Sequence, residues 1–215
     1  MIGLFDSGLG GINTAEELRR LLPRESLLLL ADYERAPFGE KSAEELVPII
    51  EENVRRLLAA GAERVLIACC TASTLHGSLS KEAKEMSIPI IAPTARAANL
   101  ATKNGKIAVI ATEGTVRSHE FKKRLRNRDV LEIPAGELVR ISEDGGELDP
   151  RLPDALRRIM DSASELGADT LILGCTHFHS LREAITEEAA KRKIKNIISS
   201  AKEGATELYR ILKGI

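Results

Sequence analysis

Eight short apolar runs, almost none of them alternating with polar residues, constrain this chain more than any other feature. They are IGLF (2–5), LLLLAD (27–32), RVLIA (64–68), IPIIA (88–92), KIAVIA (106–111), VLEI (130–133), TLILG (170–174) and KNIIS (195–199). A strand exposed on one face alternates, whereas a strand covered on both faces reads as unbroken apolar sequence. Segments of helical period separate the runs, so the order is strand, helix, strand, as in parallel sheets joined by crossover helices. The expected fold class is therefore α/β with mainly parallel sheets. Helix starts are expected at Thr14 with Glu17 and at Ser42 with Glu45, where hydroxyl and carboxylate would form capping boxes. Gly61 is expected to end the second helix, and Pro48 to bend it near its start.

Two of the runs lie in a repeat. GAERVLIAC (61–69) aligns without a gap on GADTLILGC (167–175): Gly-Ala, an acidic residue, a strand, then a cysteine. The repeat suggests two equivalent units, each ending a strand on a thiol. In open α/β sheets the ligand crevice lies beyond the carboxyl ends of the strands, so both thiols would point into one. The chain has three cysteines, Cys69, Cys70 and Cys175, which do not form an even disulfide framework. Kept reduced, they are available for proton transfer or for metal.

Composition excludes several classes. At 215 residues, with 43% hydrophobic and 29% charged residues, the chain can bury one large core or two small ones. A net charge of -1 gives no general attraction to nucleic acid or to anionic lipid, and 3% aromatic residues offer no stacking platform for bases. No apolar run has membrane-spanning length, and MIGLFDSGLGG lacks the pattern of a signal peptide, so a cytoplasmic protein is expected. GLGG resembles a nucleotide loop, but Asn13 occupies the place of the third glycine, which argues against a dinucleotide.

The motifs FDSGLGG (5–11), ERAPFGEKS (34–42), ACCTAS (68–73), TKNGKIAVIATEGT (102–115) and GCTH (174–177) occur in the order and approximate spacing of the glutamate racemases. On these residues the chain resembles the aspartate/glutamate racemase superfamily over nearly its whole length. The resemblance implies two pseudo-symmetric three-layer α/β domains with the active site between them. Residues 1–92 with 199–215 would form the first, carrying Cys69, and residues 93–198 the second, carrying Cys175. It also implies a homodimer, a small acidic amino acid as substrate, and neither cofactor nor metal.

Racemising an amino acid without a cofactor requires a proton to leave one face of the α-carbon and another to arrive on the opposite face. Thiols suit this work, because their ordinary pKa of about 8.5 can be moved by a helix terminus or a neighbouring charge. Cys69 and Cys175 are the expected pair. The resemblance assigns Asp6 to assist Cys69, and His177 with Glu143 to assist Cys175, with Asp144 as the alternative to Glu143. Substrate contacts are implied for Asp6, Ser7, Phe38, Gly39, Cys70, Thr71, Thr112, Thr176 and His177. The sequence departs from the family at Cys70, where asparagine is usual, at Phe38 in place of tyrosine, and at Phe178 and His179 in place of tyrosine and proline.

Other readings stand beside these. A cysteine at the end of a buried strand also serves as a small core residue. His177 could simply cap the following helix, and Glu143 could be a solvated carboxylate. The cysteines with His177 could also ligate zinc, although closely spaced Cys-x2-Cys pairs are missing. His76, His119 and His179 are expected at the surface.

Overall fold

A computed structural model describes all residues, 1–215. It contains two four-stranded, wholly parallel sheets with the same strand order. The first runs β2 (Leu27–Ala31), β1 (Ile2–Asp6), β3 (Arg64–Ile67), β4 (Ser87–Pro89). The second runs β6 (Asp129–Pro134), β5 (Lys106–Ala111), β7 (Thr170–Gly174), β8 (Asn196–Ser199). Each expected apolar run contributes one strand, and β1 to β4 correspond one for one with β5 to β8.

The helices cover both faces of each sheet, as the unbroken apolar strands require. On the first sheet, α2 (Ala43–Ala59) and α4 (Lys81–Met86) pack with Phe5, Val65 and Ile67. On its other face, α1 (Gly10–Leu21) and the last helix, α11 (Ser200–Lys213), enclose Ile2, Leu4 and Leu66 through Leu18, Ala205 and Leu208. On the second sheet, α8 (Glu137–Asp144), α9 (Leu152–Leu166) and α10 (Arg182–Ala190) cover Ala108, Ile110, Leu171 and Leu173. Its opposite face, Ile107, Val109 and Ile172, is covered by α5 (Ile91–Ala101) and α7 (Glu120–Arg124). Two shorter helices, α3 (Cys70–Thr74) and α6 (Glu113–Ser118), follow β3 and β5.

The repeat has a structural counterpart at every position. Gly61 and Gly167 both adopt positive φ, +97° and +74°, to leave α2 and α9. The acidic residues differ in what they hold. Glu63 pairs with the Met1 ammonium at 2.6 Å on the surface, a contact of small energetic weight. Asp169 instead accepts hydrogen bonds from the Thr102 hydroxyl (2.7 Å), the Lys103 and Asn104 amides (2.7 and 2.9 Å) and the Thr170 hydroxyl (2.8 Å). It thereby fixes the TKNG turn that starts β5.

Three local expectations are revised. Thr14 does not cap a helix: α1 begins four residues earlier, at Gly10, and the Thr14 hydroxyl is buried inside it without a partner. Glycines start the helix because a Cβ at position 10 would collide with Thr176 and His177, and one at 11 with Asp6 at 2.7 Å. The run 88–92 is only half strand, since Ile91 opens α5 and is apolar because that helix end is buried. His179 is not at the surface: it lies under α1, 2.8 Å from the Ser199 hydroxyl and 3.4 Å from Glu17, and His76 has a buried, unpartnered Nε2. The Ser42–Glu45 capping box is present in full, and Pro48 lies within the second turn of α2.

Burial opposes ionisation of Asp169, yet its four donors hold the carboxyl down to about 2. A depressed carboxyl stabilises the fold fully above its ordinary value of 3.8 and loses that contribution as pH falls toward 2. Asp169→Ala is therefore expected to lower unfolding free energy by ~1–2 kcal/mol at neutral pH, read by urea denaturation. The difference from the parent protein should shrink below about pH 4.

Candidate active site

All the loops that meet between the two sheets follow the carboxyl end of a strand. Together they enclose a cavity of about 600 Å³. Ser7 and Gly8 reach it after β1, Tyr33 and then Ala36 to Glu40 after β2, and Cys69 to Thr71 after β3. Thr112, Glu113 and Arg117 reach it after β5, Gly136, Val139, Arg140 and Glu143 from the segment after β6, and Cys175 to His177 after β7. Cys69 and Cys175, one from each unit of the repeat, line the same space, and both are buried to within 8% of full cover.

Cys69 sits between β3 and α3. Its Sγ lies 3.4 Å from the Ser7 hydroxyl and accepts the Ala72 amide at 3.5 Å. Burial, and after it the nearby Asp6 carboxylate, push this thiol up to about 11. Cys175 follows β7 directly, with Sγ 3.7 Å from His177 Nδ1. The other ring nitrogen of His177 lies 2.9 Å from Glu143 Oε1. A carboxylate only accepts, so Nε2–H donates to Glu143 and Nδ1 is left to accept the Cys175 proton. Burial, then the neighbouring Cys70, raise the Cys175 thiol well above its ordinary value. Of the two carboxylates left open by sequence, Glu143 reaches His177, while Asp144 is held by Arg151 at 2.6 Å.

Asp6 is placed differently from the other residues of the set. It is fully buried and does not line the cavity. Its carboxylate accepts the Gly8 amide and the Thr176 hydroxyl, each at 3.0 Å, and no hydrogen bond joins it to Cys69. The Thr176 bond crosses from one sheet's loops to the other's, as does the bond from Asn13 Nδ2 to the Thr176 carbonyl at 2.8 Å. Burial raises the Asp6 carboxyl, with His177 pulling the other way. Thr71 makes the reciprocal crossing, 2.9 Å from the Thr112 hydroxyl and 3.2 Å from that of Thr115.

Among the other expected contacts, Gly39, Cys70 and Phe38 all line the cavity. A Cβ at Gly39 would press on Thr112 at 3.0 Å, so the absence of a side chain there permits the approach of the two units. Phe38 also packs against Phe5, with ring centroids 6.0 Å apart. Cys70 shares an apolar cluster with Ile90, Ile91 and Val109 at the junction. Phe178 is buried in the second core and does not face the cavity. The segment carrying Phe38 is held from below by Arg35, which bonds Asp32, Glu52 and Asn53. No group of three or more His, Cys, Asp and Glu side chains is arranged to hold a metal ion.

Against this geometry, the sequence profile of the Asp/Glu/Hydantoin racemase family matches residues 13–208. This chain belongs to the Asp/Glu/hydantoin racemase family. It is 36% identical over 220 residues to the glutamate racemase of Lactococcus lactis subsp. cremoris strain SK11, covering 98% of this chain and 79% of that protein. The Pseudomonas aeruginosa PAO1 glutamate racemase is 35% identical, covering 98% and 81%. Among solved structures, glutamate racemase isoform RacE1 from Bacillus anthracis superposes with a TM-score of 0.89 at 35% identity, over 100% of this chain and 82% of that one. The Francisella tularensis glutamate racemase in complex with D-glutamate gives 0.85 at 26% identity, over 99% and 81%. As a member of this racemase family the chain is an isomerase.

The racemase cavity also contains side chains to which the sequence gave no role: Glu40 and Glu113, inside the motifs ERAPFGEKS and TKNGKIAVIATEGT, and Arg117 and Arg140, outside them. No motif marks the two arginines, which only the fold brings there. The raised Cys69 thiol carries a stability consequence. An acid whose pKa is raised by folding stabilises the native state fully below the ordinary thiol range of about 8.5–9 and loses that contribution as pH climbs to about 11. The melting temperature should therefore fall more steeply between pH 9 and 11 in the parent protein than in Cys69→Ala. Equal slopes would show that this thiol is not desolvated.

Proposed function

We propose that this racemase interconverts L- and D-glutamate without a cofactor, using Cys69 and Cys175 as the two proton-transfer groups. The observation that supports this most is the placing of two buried thiols, at equivalent strand ends of a duplicated fold, on one cavity. In one direction the Cys69 thiolate takes the α-proton while the Cys175 thiol, backed by His177 and Glu143, returns a proton to the opposite face. In the other direction the roles exchange. Each step moves one proton between sulfur and carbon, so the thiol pair ends in the complementary protonation state and must be reset by exchange with solvent or by the reverse substrate.

Burial disfavours the thiolate at both sulfurs and so favours the neutral thiol at neutral pH. The α-ammonium of an entering amino acid brings a positive charge into a poorly solvated space and favours the thiolate there. Loss of the α-proton then places negative charge on the substrate carboxylate, next to the Ser7, Thr71 and Thr112 hydroxyls. Asp6 keeps the two walls in register through Thr176 and adds a negative potential at Cys69 that opposes early ionisation.

The substrate assignment draws support from the identities to glutamate racemases. The domain division of 1–92 with 199–215, and 93–198, accords with α11 packing on the first sheet while β8 pairs in the second. A homodimer in the cytoplasm, supplying D-glutamate for peptidoglycan, completes the proposal; no helix is long and apolar enough to cross a membrane. A second reading keeps the chemistry and changes the acid, since Cys70 and Phe38 replace polar groups with weak or absent donors on the cavity wall.

Cys69→Ser and Cys175→Ser should each lower racemisation of glutamate by at least ~10³-fold, because a hydroxyl is a far weaker acid than a thiol and cannot supply the base. Circular dichroism of the enantiomer mixture reads the rate. Near-full activity in either variant would refute the two-thiol mechanism, and activity on another acid alone would favour the second reading.

A further inference from the structure

Next to the thiols, most hydroxyl groups are already engaged. Thr176 donates to Asp6, Thr71 bonds Thr112 and Thr115, and Ser7 faces Cys69. Cys70 is a weak donor and Phe38 is none. This inner wall offers a carboxylate backbone amides and shared hydroxyls, but no cation. The only lysine or arginine side chains on the cavity are Arg117, on α6, and Arg140, on α8. Arg117 spends one N–H on the Gly39 carbonyl at 3.1 Å and keeps the rest of its fork free. The Arg140 guanidinium has no hydrogen bond or ion pair. Glu40 and Glu113 face the same cavity, yet neither pairs with an arginine, and Glu143 is taken by His177.

An unpaired guanidinium beside a cavity is a ready receptor for a carboxylate, which it can grip with two parallel N–H bonds. The space suffices: about 600 Å³ equals some twenty waters at ~30 Å³ each, against the ten non-hydrogen atoms of glutamate. A substrate with its α-carbon between the sulfurs therefore has room to extend its side chain outward, toward α6 and α8. We propose that Arg140, assisted by Arg117, receives the side-chain carboxylate of the substrate and so sets the preference for a dicarboxylic amino acid. This rests on the amino-acid racemase reading of the same cavity and adds the residue that distinguishes glutamate from a neutral chain of equal length. Arg140 is exposed and fills no core, so its replacement tests recognition rather than folding.

The test compares glutamate with norvaline, which has the same carbon skeleton and a methyl group in place of the side-chain carboxylate. Exchange of the α-proton in D2O is followed by NMR for the parent protein, Arg140→Gln, Arg117→Gln and Arg140→Lys. For Arg140→Gln the ratio of kcat/KM for glutamate over norvaline should fall on the order of 10- to 100-fold, mainly through KM for glutamate. Arg117→Gln should give a smaller fall, and Arg140→Lys a partial recovery. An unchanged ratio in Arg140→Gln, with glutamate exchanged as in the parent, overturns the assignment and leaves the racemase reading intact. If the parent exchanges neither compound, the racemase reading fails, and thermal shift decides the assignment separately. Glutamate raising the melting temperature of the parent but not of Arg140→Gln supports it; an equal shift in both, or none in either, overturns it.

Discussion

A buried carboxylate helps to bolt together the two units that carry the thiols. Asp6 has no exposure to water, and a carboxylate in such a place is costly unless its oxygens are hydrogen-bonded. One oxygen takes the Gly8 amide of its own unit, and the other takes the Thr176 hydroxyl next to Cys175. The penalty of leaving that oxygen unsatisfied makes separation of the units unfavourable at this point. Thr71 with Thr112 and Thr115, and the close approach of Gly39 to α6, repeat the arrangement on the opposite wall.

Desolvation links this architecture to the chemistry. The closeness that removes water from Asp6 also removes it from the sulfurs, and burial is the leading cause of the shift at both Cys69 and Cys175. Burial therefore favours the neutral thiol over a reactive thiolate at both positions. Under the proposed mechanism a charged substrate shifts that balance toward the thiolate, so the base forms when there is a proton for it to remove. The two sulfurs are supported unequally: Cys175 has a histidine–carboxylate pair behind it, while Cys69 has a hydroxyl and an amide. The two units place their thiols at equivalent strand ends but surround them with different partners, as they do Glu63 and Asp169.

Much of the fold was legible because strands covered on both faces write themselves as unbroken apolar runs. The cysteine repeat marked the equivalent strand ends. Legibility failed where tertiary contact overrode local pattern. Thr14 and Glu17 fit a capping box, but α1 starts at Gly10 because only glycine fits against Thr176 and His177. Ile91 and Ala92 read as strand because the first turn of α5 is buried as deeply as a strand would be. In the site, the thiols, His177 and the hydroxyl residues lie in motifs, so they could be named from sequence. The choice of Glu143 over Asp144 needed the Arg151 contact, and Arg117 and Arg140 enter the cavity only once α6 and α8 have docked.

The central claim is that each sulfur serves one face of the substrate, and isotope labelling at early times tests it most directly. L-glutamate is supplied in D2O, and deuterium at the α-carbon is measured in the remaining L-form and in the D-form product before appreciable conversion. With two separate thiols, the proton removed by one sulfur is not the one delivered by the other. The product should then carry solvent deuterium from the first turnovers while the unreacted L-form stays unlabelled. Equal early labelling of both forms would mean that one group serves both faces, and would contradict the account.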